Sequence, residues 1–98
     1  MVLTLRAAAL AAFVLSALGA CTPSAPEPPA NVVALRNLDY AGTRNARQTL
    51  DVYIPRTSPG RALPLVVFIH GGAWEEGSKL EHVEMVYPLV ASGEFVAA

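Results

Sequence analysis

The sequence predicts an α/β fold, and three stretches carry the prediction. Leu65-Val66-Val67-Phe68-Ile69 is an unbroken apolar run that leads straight into His70-Gly71-Gly72. Thr49 to Ile54 alternates with a period of two, and Ser78 to about Ser92 repeats apolar residues at three- and four-residue steps. A doubly buried strand, a half-buried strand and an amphipathic helix together require a sheet layered with helices.

The chain opens on a different kind of segment. Arg6 is the only side-chain cation ahead of a twelve-residue apolar stretch, Ala7 to Leu18. That length suits the core of a signal peptide and falls short of the roughly 18–20 residues that cross a bilayer. Residues 1–20 are therefore set apart from the fold. Cys21, the only cysteine, follows Leu18-Gly19-Ala20. With no second thiol in the chain, an intrachain disulfide framework is excluded. The segment resembles the lipobox of bacterial lipoproteins. The resemblance implies cleavage before Cys21, diacylglycerol on its thiol, and a lipid-anchored place in the bacterial cell envelope. Thr22 in place of aspartate implies the outer membrane, with a periplasmic or secreted protein as the alternative.

Residues 22–30 carry four prolines in nine positions. Proline removes backbone donors and favours extended polyproline II geometry, so residues 21–30 read as a lipidated cysteine followed by a semi-rigid spacer. Residues 31–98 read as the folded part. Without residues 1–20, six basic and eight acidic side chains remain among 78 residues, a net charge near −2. This gives no electrostatic footprint for nucleic acid. Seventy-eight residues lie near the lower limit for burying a core alone.

Val32 to Tyr40 reads as a first strand, followed by a turn-rich stretch through Arg47. In the second strand, Thr49 to Ile54, Leu50, Val52 and Ile54 share one face, and Thr49, Asp51 and Tyr53 share the other. Its β-branched and aromatic content predicts a half-buried strand antiparallel to its neighbour, ended by Pro55. Arg56 to Arg61 is a loop marked by Ser58-Pro59-Gly60. The run Leu65 to Ile69 predicts a strand of a parallel sheet with both faces covered. Ser78 and Glu81 have capping-box spacing for a helix from Ser78 to about Ser92, with Leu80, Val83, Tyr87 and Val90 on its apolar face. Pro88 predicts a kink or a division near Tyr87, and Gly93 a C-terminal cap. Phe95 to Ala98 opens another strand.

The chemistry points to the glycine loop. Ester cleavage builds negative charge on the carbonyl oxygen, and backbone N–H groups already aimed at that oxygen stabilise it without reorganising. Glycines let the chain turn sharply and approach a substrate closely. Tyr40-Ala41-Gly42, Gln48-Thr49-Leu50-Asp51-Val52-Tyr53-Ile54-Pro55, then Leu65 to Trp74 and Gly77 together resemble the N-terminal part of α/β-hydrolase esterases carrying His-Gly-Gly-x-Trp. That group includes feruloyl- and acetyl-esterase-like hydrolases and aryl formamidases. The resemblance implies a mostly parallel sheet flanked by helices, with the strand begun at Phe95 lying between the Thr49–Ile54 and Leu65–Ile69 strands. It implies that the amides of Gly72 and Ala73 form the oxyanion hole, with Gly71 and His70 shaping the loop and Trp74 as a substrate-pocket candidate. Ala73 stands where related esterases often have a third glycine; alanine keeps the N–H but resists positive φ.

Gly-x-Ser-x-Gly does not occur in the chain, so the sequence is expected to stop before the nucleophile elbow, and the 98 residues alone are expected to be inactive. His70 precedes any nucleophile, whereas hydrolases of this fold place the catalytic histidine last. His82 reads as a solvated or packed side chain, and Glu75 and Glu76 as solvated loop charges. The two histidines show no zinc-ligand spacing, so no metal and no organic cofactor is expected. The resemblance implies hydrolysis of a small-molecule acyl ester through a serine acyl-enzyme. An aryl formamidase and a non-catalytic lipoprotein that binds ligands on the same scaffold are the alternatives. Acyl preference and oligomeric state leave no signature.

Overall fold

The computed structural model describes residues 24–57, 59–73 and 75–98. The expected signal segment and Cys21 therefore lie outside the described residues. Five elements follow in order: β1 (Val32–Asp39), β2 (Thr49–Pro55), β3 (Leu65–Val66), α1 (Val83–Ala91) and β4 (Val96–Ala97). The strands form one sheet in the order β1-β2-β4-β3. β1 and β2 are antiparallel, β2 and β4 are antiparallel, and β3 and β4 are parallel. The last strand thus separates β2 from β3, the place that the hydrolase resemblance implies for it. The sheet is mixed rather than mostly parallel among the described residues.

Helix α1 covers one face of this sheet. Val83, Val86, Tyr87 and Val90 pack with Val32, Tyr53 and Ala97 into the core. The Val83–Tyr87–Val90 stripe is the predicted face, spaced to fall on one side of a helix. The helix is shorter than the spacing suggests. His82 occupies the left-handed region at φ 59° and no side chain caps the helix start. Ser78 instead closes a separate turn: its Oγ accepts the Leu80 amide at 3.2 Å, and its carbonyl accepts the Glu81 amide at 3.0 Å. The capping-box pair therefore serves the approach to the helix, and α1 begins one turn later. Pro88 lies within α1 without dividing it. Gly93 ends it at φ +80°, donating to the Val90 carbonyl at 3.0 Å.

One burial pattern decides what the alternation left open, and another differs from expectation. In β2 the buried residues are Asp51 and Tyr53, while Leu50, Val52 and Ile54 are half-buried. The cause is that α1 sits on the Asp51–Tyr53 face. In the predicted Leu65–Ile69 strand, Leu65, Val67 and Phe68 are exposed and Ile69 is 84% exposed. The run sits at the sheet edge, and no described helix covers the face that Leu65, Val67 and Ile69 share. Its pairing nonetheless continues past β3, since the Phe68 amide donates to the Ala98 carbonyl at 2.7 Å.

The proline-rich segment is held down rather than free. The Pro26 carbonyl accepts the Tyr87 hydroxyl at 2.6 Å and Arg36 Nη2 at 2.8 Å. The Ala30 carbonyl accepts Arg56 Nε at 2.8 Å. From Pro26 onward the expected spacer is part of the folded unit.

Candidate active site

Topology brings the chemistry-bearing loops to one end of the sheet. β4 runs parallel to β3 and β2 runs against both, so the start of β2 and the turn before it stand beside the carboxyl end of β3. Open α/β sheets bind ligands at that end. Arg47, Thr49, His70 and Lys79 accordingly line two adjoining cavities of about 650 and 260 Å3. Glu75 and Glu76, both exposed, rim the larger one.

The loop after β3 closes on itself. The Gly72 carbonyl accepts the amides of Glu75 and Glu76 at 3.0 and 3.1 Å. His70 Nδ1 lies 2.7 Å from the Gly71 carbonyl oxygen. Gly72 has φ +123° and Gly77 φ +108°. A Cβ at Gly72 would collide with the Glu76 carbonyl, and one at Gly77 with the Gly71 carbonyl and the His70 ring. Both positions thus require glycine for space as well as for backbone conformation. Ala73 departs from expectation: it adopts φ +52° despite its Cβ. The turn around Gly72 imposes that geometry, at a cost of about 1 kcal/mol for a non-glycine residue.

Among the described residues, the amides of Gly71, Gly72 and Ala73 donate to no acceptor. Neither cavity is lined by Gly72 or Ala73. Trp74 lies outside the described residues. His82 is exposed, edge-on to Phe68 with centroids 6.2 Å apart, and its Nδ1 is 3.6 Å from Glu84 Oε1. Among the described residues no three His, Cys, Asp or Glu side chains come together as a metal-binding group.

Behind the loop lies a polar cluster that sequence reasoning missed. Asp51 is 4% exposed and, among the described residues, is the buried charged residue. Its Oδ1 accepts the Asn37 amide at 2.8 Å and the Lys79 ammonium. Its Oδ2 faces Arg36 Nη1 at 3.4 Å and accepts the Tyr53 hydroxyl at 3.3 Å. A bulge in β1 between Leu35 and Leu38 creates this arrangement, with Asn37 at φ 59°. The extra residue turns both Arg36 and the Asn37 amide toward one partner position on β2. Burial pushes the Asp51 carboxyl up, but the Lys79 hydrogen bond, the Asn37 amide and the charges of Lys79 and Arg36 outweigh it and hold its pKa below the usual 3.8. The Tyr53 hydroxyl is pushed up to about 12 by burial and by the Asp51 charge. On the hairpin turn, Asp39 accepts the amides of Arg44, Ala41 and Gly42, which hold its carboxyl below the usual range.

Strand order, helix placement and a glycine loop at the carboxyl end of β3 define a class, the α/β-hydrolase fold, and the chain is similar to esterase-like proteins of that fold. The BD-FAE family model matches residues 50–97. Two solved structures of esterase B from Lactobacillus rhamnosis, one of them with a tributyrin phosphonate inhibitor, superpose with TM-scores of 0.61 and 0.62 at 25% identity. They cover 72% of this chain and 23% of those chains. Kynurenine formamidase of Salmo salar is 45% identical over 51 residues, and that of Danio rerio 43% over the same length. The alignments cover 52% of this chain and 17% of those proteins.

Proposed function

We propose that this chain supplies the oxyanion-stabilising half of the active site of a serine carboxylic-ester hydrolase, within a longer protein. A serine elsewhere in that longer protein would attack the acyl carbon as its proton passes to a histidine that also lies outside this chain. The carbonyl oxygen would take up the negative charge, and the Gly72 and Ala73 amides would donate to it. Collapse of the intermediate would release the alcohol, which takes the proton from that histidine. Water would then hydrolyse the acyl-enzyme. The observation that carries this reading is that those two amides, just past β3, are unpaired among the described residues in a loop that otherwise satisfies its own turn. His70 and Gly71 would hold the shape of the loop.

A second reading is an aryl formamidase, favoured by the 45% identity to a kynurenine formamidase. Charge development at the acyl oxygen is the same, so the loop serves either substrate. One assay separates them. The complete protein should turn over p-nitrophenyl acetate or butyrate with a higher kcat/KM than N-formylkynurenine. The reverse order selects the formamidase. No turnover of either, with no covalent labelling by a phosphonate ester, selects the non-catalytic binding module. The 98 residues alone should give no turnover.

Lipid anchoring at Cys21, with placement in the bacterial envelope, belongs to the same proposal. Cys21→Ser should move the protein from the membrane fraction to the soluble one. Unchanged fractionation would remove the anchor from the reading.

A further inference from the structure

We propose that Lys79, held by Asp51 and Asn37, is a positioning residue that fixes the oxyanion loop against the sheet; this rests on the hydrolase reading above. Lys79 follows the glycine loop directly, two residues after Gly77. Gly77 packs so closely on His70 and the Gly71 carbonyl that a Cβ there would overlap both. Whatever fixes Gly77 therefore fixes the turn that carries the Gly72 and Ala73 amides. Between Gly77 and α1 the chain makes only short turns, and His82 enters the helix in the left-handed region without a side-chain cap. Local structure alone gives this segment little anchorage.

Lys79 supplies the anchorage. Its ammonium donates to Asp51 Oδ1 on β2 and, at 2.6 Å, to Asn37 Oδ1 on the β1 bulge. The Asp51 side chain is 3% exposed and that of Lys79 26%, so the pair is largely shielded from water. Shielding strengthens a charge-assisted hydrogen bond. Asp51 is itself oriented from three other sides, by Arg36, the Asn37 amide and the Tyr53 hydroxyl. The acceptor is thus rigid before Lys79 arrives. A rigid acceptor on the sheet and a glycine contact in the loop transmit position from strand to loop in three residues. Lys79 also lines both cavities together with His70, the first residue of the loop.

The test uses Lys79→Met in the complete protein, with Lys79→Arg as the conservative variant. On a short acyl ester, Lys79→Met should lower kcat at least tenfold with KM within twofold, since it displaces groups that act on the transition state. Exchange of the Glu75 and Glu76 amides, which the Gly72 carbonyl holds, should speed up at least tenfold, with α1 unchanged. Lys79→Arg should recover most of both. If Lys79→Met does not fold, Asp51→Asn, which keeps the shape and weakens the charge pairing, is measured in the same way. Unchanged loop exchange in a folded variant overturns the proposal. So does faster exchange with kcat retained, or a rise in KM alone, which would make Lys79 a substrate contact. If the wild-type protein hydrolyses no ester yet Lys79→Met frees the loop, the anchorage stands and the hydrolase reading falls.

Discussion

Gly72→Ala should cut kcat/KM for a short acyl ester by roughly 100-fold or more, the scale on which loss of one oxyanion donor acts. The substitution leaves every N–H in place, so its effect is geometric. At φ +123° the backbone is in a region that essentially only glycine occupies. The added methyl would also collide with the Glu76 carbonyl. That carbonyl cannot retreat freely, because the Glu75 and Glu76 amides are tied to the Gly72 carbonyl. Relief must come from rotating the Gly72 and Ala73 peptides, which are the groups assigned to the oxyanion. The same strain should also lower the thermal midpoint by a few degrees while the core stays intact. Ala73→Gly is the matched control. It removes a Cβ at φ +52° and should retain activity, with stability unchanged or slightly raised. Full activity in Gly72→Ala would mean that these amides do not meet the developing charge.

The contrast between Gly72 and Asp51 explains what the sequence disclosed. The glycine loop was legible because its requirement is local: a strand, then residues that can turn where side chains cannot. Strand order was legible only through family resemblance, since Phe95-Val96-Ala97 carries nothing that says it pairs between β2 and β3. The face of β2 was harder. Alternation separates Leu50, Val52 and Ile54 from Asp51 and Tyr53, but it does not say which set meets the helix. Asp51 can lie on the helix side because the Asn37 bulge on the neighbouring strand and Lys79 supply it with partners. A weak signal existed: Arg36-Asn37 interrupts the apolar character of β1, and asparagine tolerates the left-handed region that bulges use. Burial of Leu65 to Ile69 failed for another reason. Five apolar residues report what the strand can bury, and the described residues include no layer on that side.

Asp51→Ala should destabilise the protein by about 3 kcal/mol, near the lower end for breaking a buried ion pair. Four donors lose one acceptor at once: the Lys79 ammonium, the Arg36 guanidinium, the Asn37 amide and the Tyr53 hydroxyl. The two cations can turn partly to water, whereas the amide and phenol are fixed by the strand and the core. Asp51→Asn keeps an acceptor oxygen and the shape, so it should cost about half as much, and the difference measures the charge. Acid provides a third arm. The folded pKa of Asp51 lies below its ordinary value near 3.8, so its contribution is complete above that value. It is lost as the pH falls through the lower folded value, because protons bind the unfolded chain first. The urea midpoint of the wild-type protein should therefore drop as the pH falls below about 4, and that of Asp51→Asn should drop less over the same range. Equal slopes for the two proteins would show that the carboxylate is not held by its neighbours as a charge. A small cost for Asp51→Ala would show that Lys79 and Arg36 keep their places without it, and the loop would then need another anchor.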